Sequence, residues 1–212
     1  IAEATESLRI GSGGVMLPNH SPLVIAEHYG TLATLYPDRI DLGLGRAPGT
    51  DQKTAQALRP DRMQQVRQFP QNVKQLQKYF SPENSSSDVR AIPGEGTEVP
   101  LWILGSSTDS AHLAAALGLP YVFASHFSPQ QLYAALQVYR EKFEPSEQLN
   151  DPYVMPCVNI VVADTDEQAE LLSTSLKQMF MGVVTGNRDP MPPPVDDMNT
   201  VWNLRTKMAV EQ

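Results

Sequence analysis

The feature that most constrains this chain is an alternation of short apolar runs with stretches whose apolar residues recur three and four apart. Runs of four to eight apolar residues read as buried strands, and the three-and-four spacing reads as helices with one face packed. Residues 8–17 (LRIGSGGVML) read as a strand ended by Pro18-Asn19. Ser21 then serves as N-cap and Pro22 as first residue of a helix carrying Val24, Ile25, Tyr29, Leu32 and Leu35 on one face. A turn at residues 36–39 leads to a second strand, 40–44. Residues 47–56 read as a loop, 71–79 as a polar helix, and 81–98 as an exposed loop with one short strand. The run Leu-Trp-Ile-Leu at 101–104 is a third strand, followed by a helix over 107–117 that stops at Gly118. Strand 121–125, helix 129–143, strand 153–163 and a helix from about 166 to 181, capped by Asp164, Thr165 or Asp166, complete the series. The proline-rich stretch 186–198 reads as an extended surface segment.

Five strands, each followed by a helix or a long connection, make an α/β fold with parallel strands. An open doubly wound sheet and a section of a (β/α)8 barrel both fit, and periodicity does not choose between them. In either, chemistry belongs at the carboxyl ends of the strands. There the first strand carries Gly11-Ser12-Gly13-Gly14, a pattern for a bulge or for close approach of a ligand. The second ends Gly43-Leu44-Gly45-Arg46-Ala47-Pro48-Gly49. The third glycine arrives too late for a dinucleotide fingerprint and Pro48 breaks any immediate helix, which leaves Arg46 as an anion clamp or a surface ion-pair partner. The third strand runs through Gly105-Ser106-Ser107-Thr108-Asp109-Ser110 into an alanine-rich helix. That arrangement offers free amides and hydroxyls to an anion, or else a plain N-cap.

Other features narrow the function. A net charge of −8 lacks the basic surface that nucleic acid or an anionic membrane requires. One cysteine, Cys157, excludes an internal disulfide and reads as a buried inert thiol. No histidine pair has metal-ligand spacing, so no metal is expected. His20 and His126 follow strands and are candidate pocket residues, whereas His28 and His112 fall inside helices. Asp196-Asp197 read as solvated. No apolar stretch approaches membrane-spanning length and no signal peptide is visible, so a cytoplasmic protein is expected. The chain opens without Met on what reads as the tail of a helix and closes without a stop signal, so it reads as a partial chain.

Four strings taken together, RIGSGGVMLPNHSP (9–22), YPDRIDLGLGRAPGTD (36–51), LWILGSS (101–107) and GLPYVFASHF (118–127), resemble the bacterial luciferase-like flavin-dependent monooxygenases in content, order and spacing over residues 1–180. The resemblance implies one TIM-barrel domain over 1–212, incomplete at both ends and supplying roughly strands three to seven. It implies a non-proline cis peptide at Gly13-Gly14 beneath an isoalloxazine ring. Gly45 and Arg46 would lie near the flavin, Arg46 towards its phosphate, with Leu104, Ser106, Ser107 and Ser110 at the ring edge and phosphate. Some members carry a carboxylate where Ser106 stands. Arg62 or Arg67 is a further phosphate candidate. The family's acidic-histidine motif falls before Ile1 and its eighth strand after Gln212, so the catalytic residues are unassigned. The implied activity is oxidation of a small organic substrate by O2 and reduced FMN, supplied by a separate reductase to a homodimer. The alternatives are a deazaflavin-dependent oxidoreductase on the same fold and a flavin-binding protein without turnover.

Overall fold

The computed structural model describes residues 1–210 except Pro48, Arg59, Phe127 and Arg188, and describes Arg62 without its side chain. The chain forms two compact units, Ile1–Val158 and Asn159–Gln212. In the first unit the strands are β1 (Ile10–Gly11), β2 (Val15–Met16), β3 (Ile40–Gly45), β4 (Leu101–Gly105), β5 (Tyr121–Phe123) and β6 (Val154–Pro156). Both β1 and β2 pair with β3, which pairs with β4, then β5, then β6, all parallel. A doubly wound sheet reverses its strand order at a switch point. Here the order follows the chain without reversal, which selects the barrel section; the sheet curls as a half-barrel.

The two-residue period of a strand divides its side chains between two faces. Ile40, Leu42, Leu44, Leu101, Ile103, Tyr121 and Phe123 are buried on the helix side. Against them pack α1 (Pro22–Leu35), α4 (Phe69–Phe80), α5 (Thr108–Ala116) and α6 (Leu132–Glu141). The alternate residues, among them Asp41, Gly43, Trp102 and Leu104, line the concave side.

Five segments depart from the sequence reading. The expected first strand is two: Ile10 pairs with Ile40 and Val15 with Leu44, so five steps on one side match four on the other. That extra residue is the bulge the glycines foreshadowed. The final strand is confined to Val154–Pro156, because β5 is three residues long and ladders nothing beyond it; Val158, Ile160 and Val162 are exposed. The expected loop at 47–56 contains the start of α2 (Gln52–Leu58), which is followed by α3 (Arg62–Arg67). Asp51 caps α2, its Oδ1 accepting from Lys53 N at 2.9 Å and Thr54 N at 3.1 Å, and Thr54 Oγ1 donating to its Oδ2 at 2.5 Å. The expected exposed loop at 81–98 has no strand among its described residues but a 3-10 helix, Pro82–Ser86. It folds around buried Asn84, whose amide donates to Val89 O and accepts from Ala91 N. Its Gly94 then packs on α1 so closely that a Cβ on Gly30 would stand 2.1 Å from Gly94 Cα. The helix read as polar, α4, is in fact amphipathic, burying Phe69, Val73, Leu76 and Phe80.

In the second unit, Thr165 caps α7 (Asp166–Thr185) by accepting from Gln168 N, and Gly186 ends it at φ 78°. The described residues of 187–197 form neither helix nor strand, and the stretch is tied to α7 by Gln178 Nε2 to Pro193 O and Val195 N to Thr174 Oγ1. Asp196 and Asp197 are exposed, and Asp197 starts the 3-10 helix Met198–Thr200 ahead of α8 (Leu204–Val210). Among the described residues no helix is long and apolar enough to cross a membrane.

Two tests follow from this packing. Gly30→Ala gains about 1 kcal/mol of helix propensity but forces backbone apart at a cost of about 1–3 kcal/mol or more. A lower urea midpoint is therefore expected; a higher one would show that the α1–Gly94 contact is loose. The Asp51 carboxyl is lowered to about 2, first by the Thr54 hydroxyl and then by backbone amides. A depressed carboxyl stabilises the fold above its unfolded pKa, and that contribution is lost as pH falls through about 2. NMR titration should find Asp51 near that value and find it raised in Thr54→Ala.

Candidate functional site

The concave face of the first unit encloses a cavity of about 910 Å³. Its walls are the inward-facing positions of every strand, so their character changes along the strand direction. Near the amino-terminal ends lie Arg9, Asp41, Trp102 and Tyr153. Asp41 accepts from Arg9 Nε at 3.1 Å, from a second Arg9 nitrogen at 2.5 Å and from Trp102 Nε1 at 3.0 Å. The hydrogen bond to Asp41 raises the pKa of the Arg9 guanidinium above its ordinary value. Tyr153 meets Trp102 edge to face at 5.6 Å. This floor is polar but internally paired.

Midway up, the wall is backbone and small apolar groups: Gly11, Gly43, Leu104, Val122 and Met155. Here the ladder between the first strand pair and β3 is interrupted, and a side chain bridges the gap. Ser12 Oγ donates to Gly43 O at 3.0 Å and accepts from Gly43 N at 3.1 Å. The approach is so close that a Cβ on Gly43 would stand 2.1 Å from Ser12 O. The peptide Gly13-Gly14 is cis, as the resemblance implied, and both glycines line the cavity.

At the carboxyl ends the wall becomes a ring of donors. Gly45 ends β3 and Arg46 follows it, Ser106 and Ser107 follow β4, and Ser110 lies in the first turn of α5. Ser107 occupies the N-cap position with an extended backbone, and its side chain makes no cap bond. The first amides of any helix lack intrahelical acceptors and carry the positive end of its dipole. Arg46 reaches across this opening, its guanidinium 3.5 Å from Asp109, with both side chains largely exposed. An exposed pair of that length contributes little to stability. Ser110 Oγ donates to Ser107 O at 2.7 Å and lies 2.9 Å from the Tyr121 hydroxyl, which itself donates to Ser107 O at 3.0 Å. Burial raises the Tyr121 pKa, more than the bond to Ser110 lowers it.

The structure thus places Gly13, Gly14, Gly45, Arg46, Leu104, Ser106, Ser107, Ser110 and His126 on one cavity wall. His20 is exposed beyond the 3-10 turn Leu17–Asn19 and is not among the lining residues, and neither is exposed Arg67 of α3. The Arg62 side chain lies outside the described residues. Cys157 is half-buried and lines the cavity, where the sequence reading expected full burial. Sequence reasoning missed the floor. The available signal was Asp41, a charge alternating with Ile40 and Leu42 inside an otherwise apolar strand. Tyr121 was missed because a strand tyrosine reads as core. Among the described residues no cluster of His, Cys, Asp or Glu is placed to hold a metal.

Comparison with known proteins identifies the family of the chain. The family model for luciferase-like monooxygenase matches residues 1–203. A luciferase-like monooxygenase of Escherichia coli (strain K12) is 50% identical over the whole chain, which spans 63% of that protein. The N-acetyl-S-alkylcysteine monooxygenase of Bacillus subtilis (strain 168) is 33% identical over 80% of the chain and 52% of its own length. The crystal structure of apo-MsnO8 superimposes with a TM-score of 0.81 at 34% identity, covering 99% of the chain and 59% of MsnO8. The chain spans less than two thirds of each of these relatives, and over the part it spans it belongs to the luciferase-like monooxygenase family.

Proposed function

We propose that this chain is the cofactor-holding portion of an FMN-dependent monooxygenase that oxidises a small organic molecule with O2. The observation that carries the reading is the combination, on one wall, of a backbone-lined middle and a donor-rich rim. The planar, largely apolar ring of a flavin fits against Gly13, Gly14, Gly43 and Leu104, where few side chains intervene. A Cβ on Gly13 would meet nothing within 4 Å, so the wall has room there. Its phosphate fits the opening of α5, with the Ser106–Ser107 turn supplying donors and Arg46 a permanent charge.

Bound reduced flavin supplies the electrons by which one oxygen atom enters the substrate and the other becomes water. The chain's own part is to bind, orient and exclude water. Leu104, Val122 and Met155 present an apolar surface to whatever lies against the ring, and His126 stands on the wall where a substrate would border the cofactor. The absence of a dinucleotide fingerprint at residues 43–49 fits delivery of reduced flavin by a separate reductase. The family's homodimer is carried over as part of the same proposal.

Titrating the intact protein with oxidised and photoreduced FMN tests the reading through flavin fluorescence. Saturable binding is expected. Arg46→Ala should weaken it about tenfold, the order of one charge-assisted hydrogen bond. Ser107→Asp, which sets a like charge against the phosphate, should weaken it at least as much. Oxygen uptake with reduced FMN should then depend on a substrate from a panel of small thioethers and aldehydes. Binding of a deazaflavin in place of FMN would move the protein to the deazaflavin oxidoreductases, and binding of neither would sink the proposal. FMN binding without oxygen uptake would leave a flavin carrier.

A further inference from the structure

The opening of α5 is held from beneath by a triangle of oxygens. Ser107 O accepts from Ser110 Oγ at 2.7 Å and from the Tyr121 hydroxyl at 3.0 Å, and those two hydroxyl oxygens are 2.9 Å apart. The more distant Ala111 N–H, at 3.4 Å, adds the first helical bond. The triangle has three edges and two protons. Both protons can rest on the Ser107 carbonyl, Tyr121 can donate through Ser110, or Ser110 can donate through Tyr121. In every arrangement that makes two bonds, the Ser110 proton stays inside the triangle. An anion at the rim can draw the Ser110 proton outward, and the Tyr121 proton then still holds Ser107 O or Ser110 Oγ.

The surroundings fix this arrangement. Tyr121 is fully buried on β5, its ring 5.4 Å from Tyr139 and 6.1 Å from Phe123. A ring so enclosed makes its hydroxyl a rigid strut. Ser110 is tucked under the turn, since a Cβ on Gly105 would stand 2.0 Å from its Oγ. The carbonyl of Ser107 and the N–H of Thr108 share one planar trans peptide and point in opposite directions. Drawing that carbonyl towards Tyr121 therefore turns the Thr108 N–H away from the core.

We infer that Tyr121 is a positioning residue for the phosphate-binding turn, acting through the Ser107–Thr108 peptide and the Ser110 hydroxyl and not by contact with the ligand. This rests on the FMN reading above, in which the phosphate sits at that turn. It leaves Ser110 the direct phosphate contact that the family resemblance implies, and it gives a task to a tyrosine on the opposite face of the sheet from the cavity.

The test compares FMN with riboflavin, which has the same ring and no phosphate. Dissociation constants for both are measured by fluorescence in the intact wild-type protein, Tyr121→Phe and Ser110→Ala. Thermal unfolding confirms that each variant is folded, and the titration is run in the cold if Tyr121→Phe melts early. The inference expects both variants to lose roughly three- to tenfold in FMN affinity, the range of one neutral hydrogen bond, with riboflavin affinity unchanged. A loss in Ser110→Ala without one in Tyr121→Phe would show that the turn needs no support from the buried hydroxyl and overturn the inference. Equal losses for FMN and riboflavin would reduce the pair to general packing and overturn it too. A wild-type protein that holds riboflavin as tightly as FMN would instead overturn the phosphate site, and the wild-type titration alone reveals that outcome.

Discussion

The half-barrel depends on β3, and β3 depends on having no side chain at Gly43. This strand pairs with β1 and β2 on one side and β4 on the other, so it joins the interrupted start of the sheet to its regular remainder. At the interruption the main chain of residue 12 comes so near that any Cβ on Gly43 would collide with it. Ser12 then supplies through its hydroxyl the donor and acceptor that a regular ladder would have supplied through its backbone. The main-chain polar groups of Gly43 are satisfied and the cavity wall is left bare, so one local solution serves both folding and binding.

From that wall the cavity has two dissimilar ends. At the floor Arg9 and Asp41 neutralise one another, and the Trp102 N–H takes up a further lone pair of the carboxylate. A self-satisfied floor asks nothing of a ligand and resists burial of a net charge there. At the rim the donors are spare. The first amides of the helix lack intrahelical acceptors, and Arg46 is tied to an exposed aspartate across 3.5 Å, a bond an incoming anion can replace at little cost. An elongated ligand with one anionic end is thereby given a direction.

The strand positions, the helix starts at Ser21-Pro22 and Thr165, and the grouping of glycines and serines at strand ends were legible because each leaves a local trace: period, cap or breaker. The choice of barrel over open sheet came only through the family resemblance, since strand order is a long-range property that no window of residues contains. Asp51 and Asn84 escaped for a related reason. Each organises its segment through side-chain bonds to nearby amides, which look in sequence like ordinary polar loop residues. The expected last strand failed because apolar alternation states a preference, whereas a strand exists where a neighbour completes its ladder. Tyr121 escaped because its ring belongs to the core and its hydroxyl to the site.

The chain has two tryptophans, and one of them, Trp102, forms part of the cavity floor with its indole nitrogen fixed on Asp41. Its position gives the molecule an intrinsic optical gauge. An occupant that absorbs where indole emits would drain the Trp102 emission by energy transfer, while a colourless occupant of the same cavity would disturb it mainly through polarity. Comparing emission before and after Trp102→Phe isolates that contribution from Trp202, so a chromophoric guest can be told from a transparent one without labelling the protein.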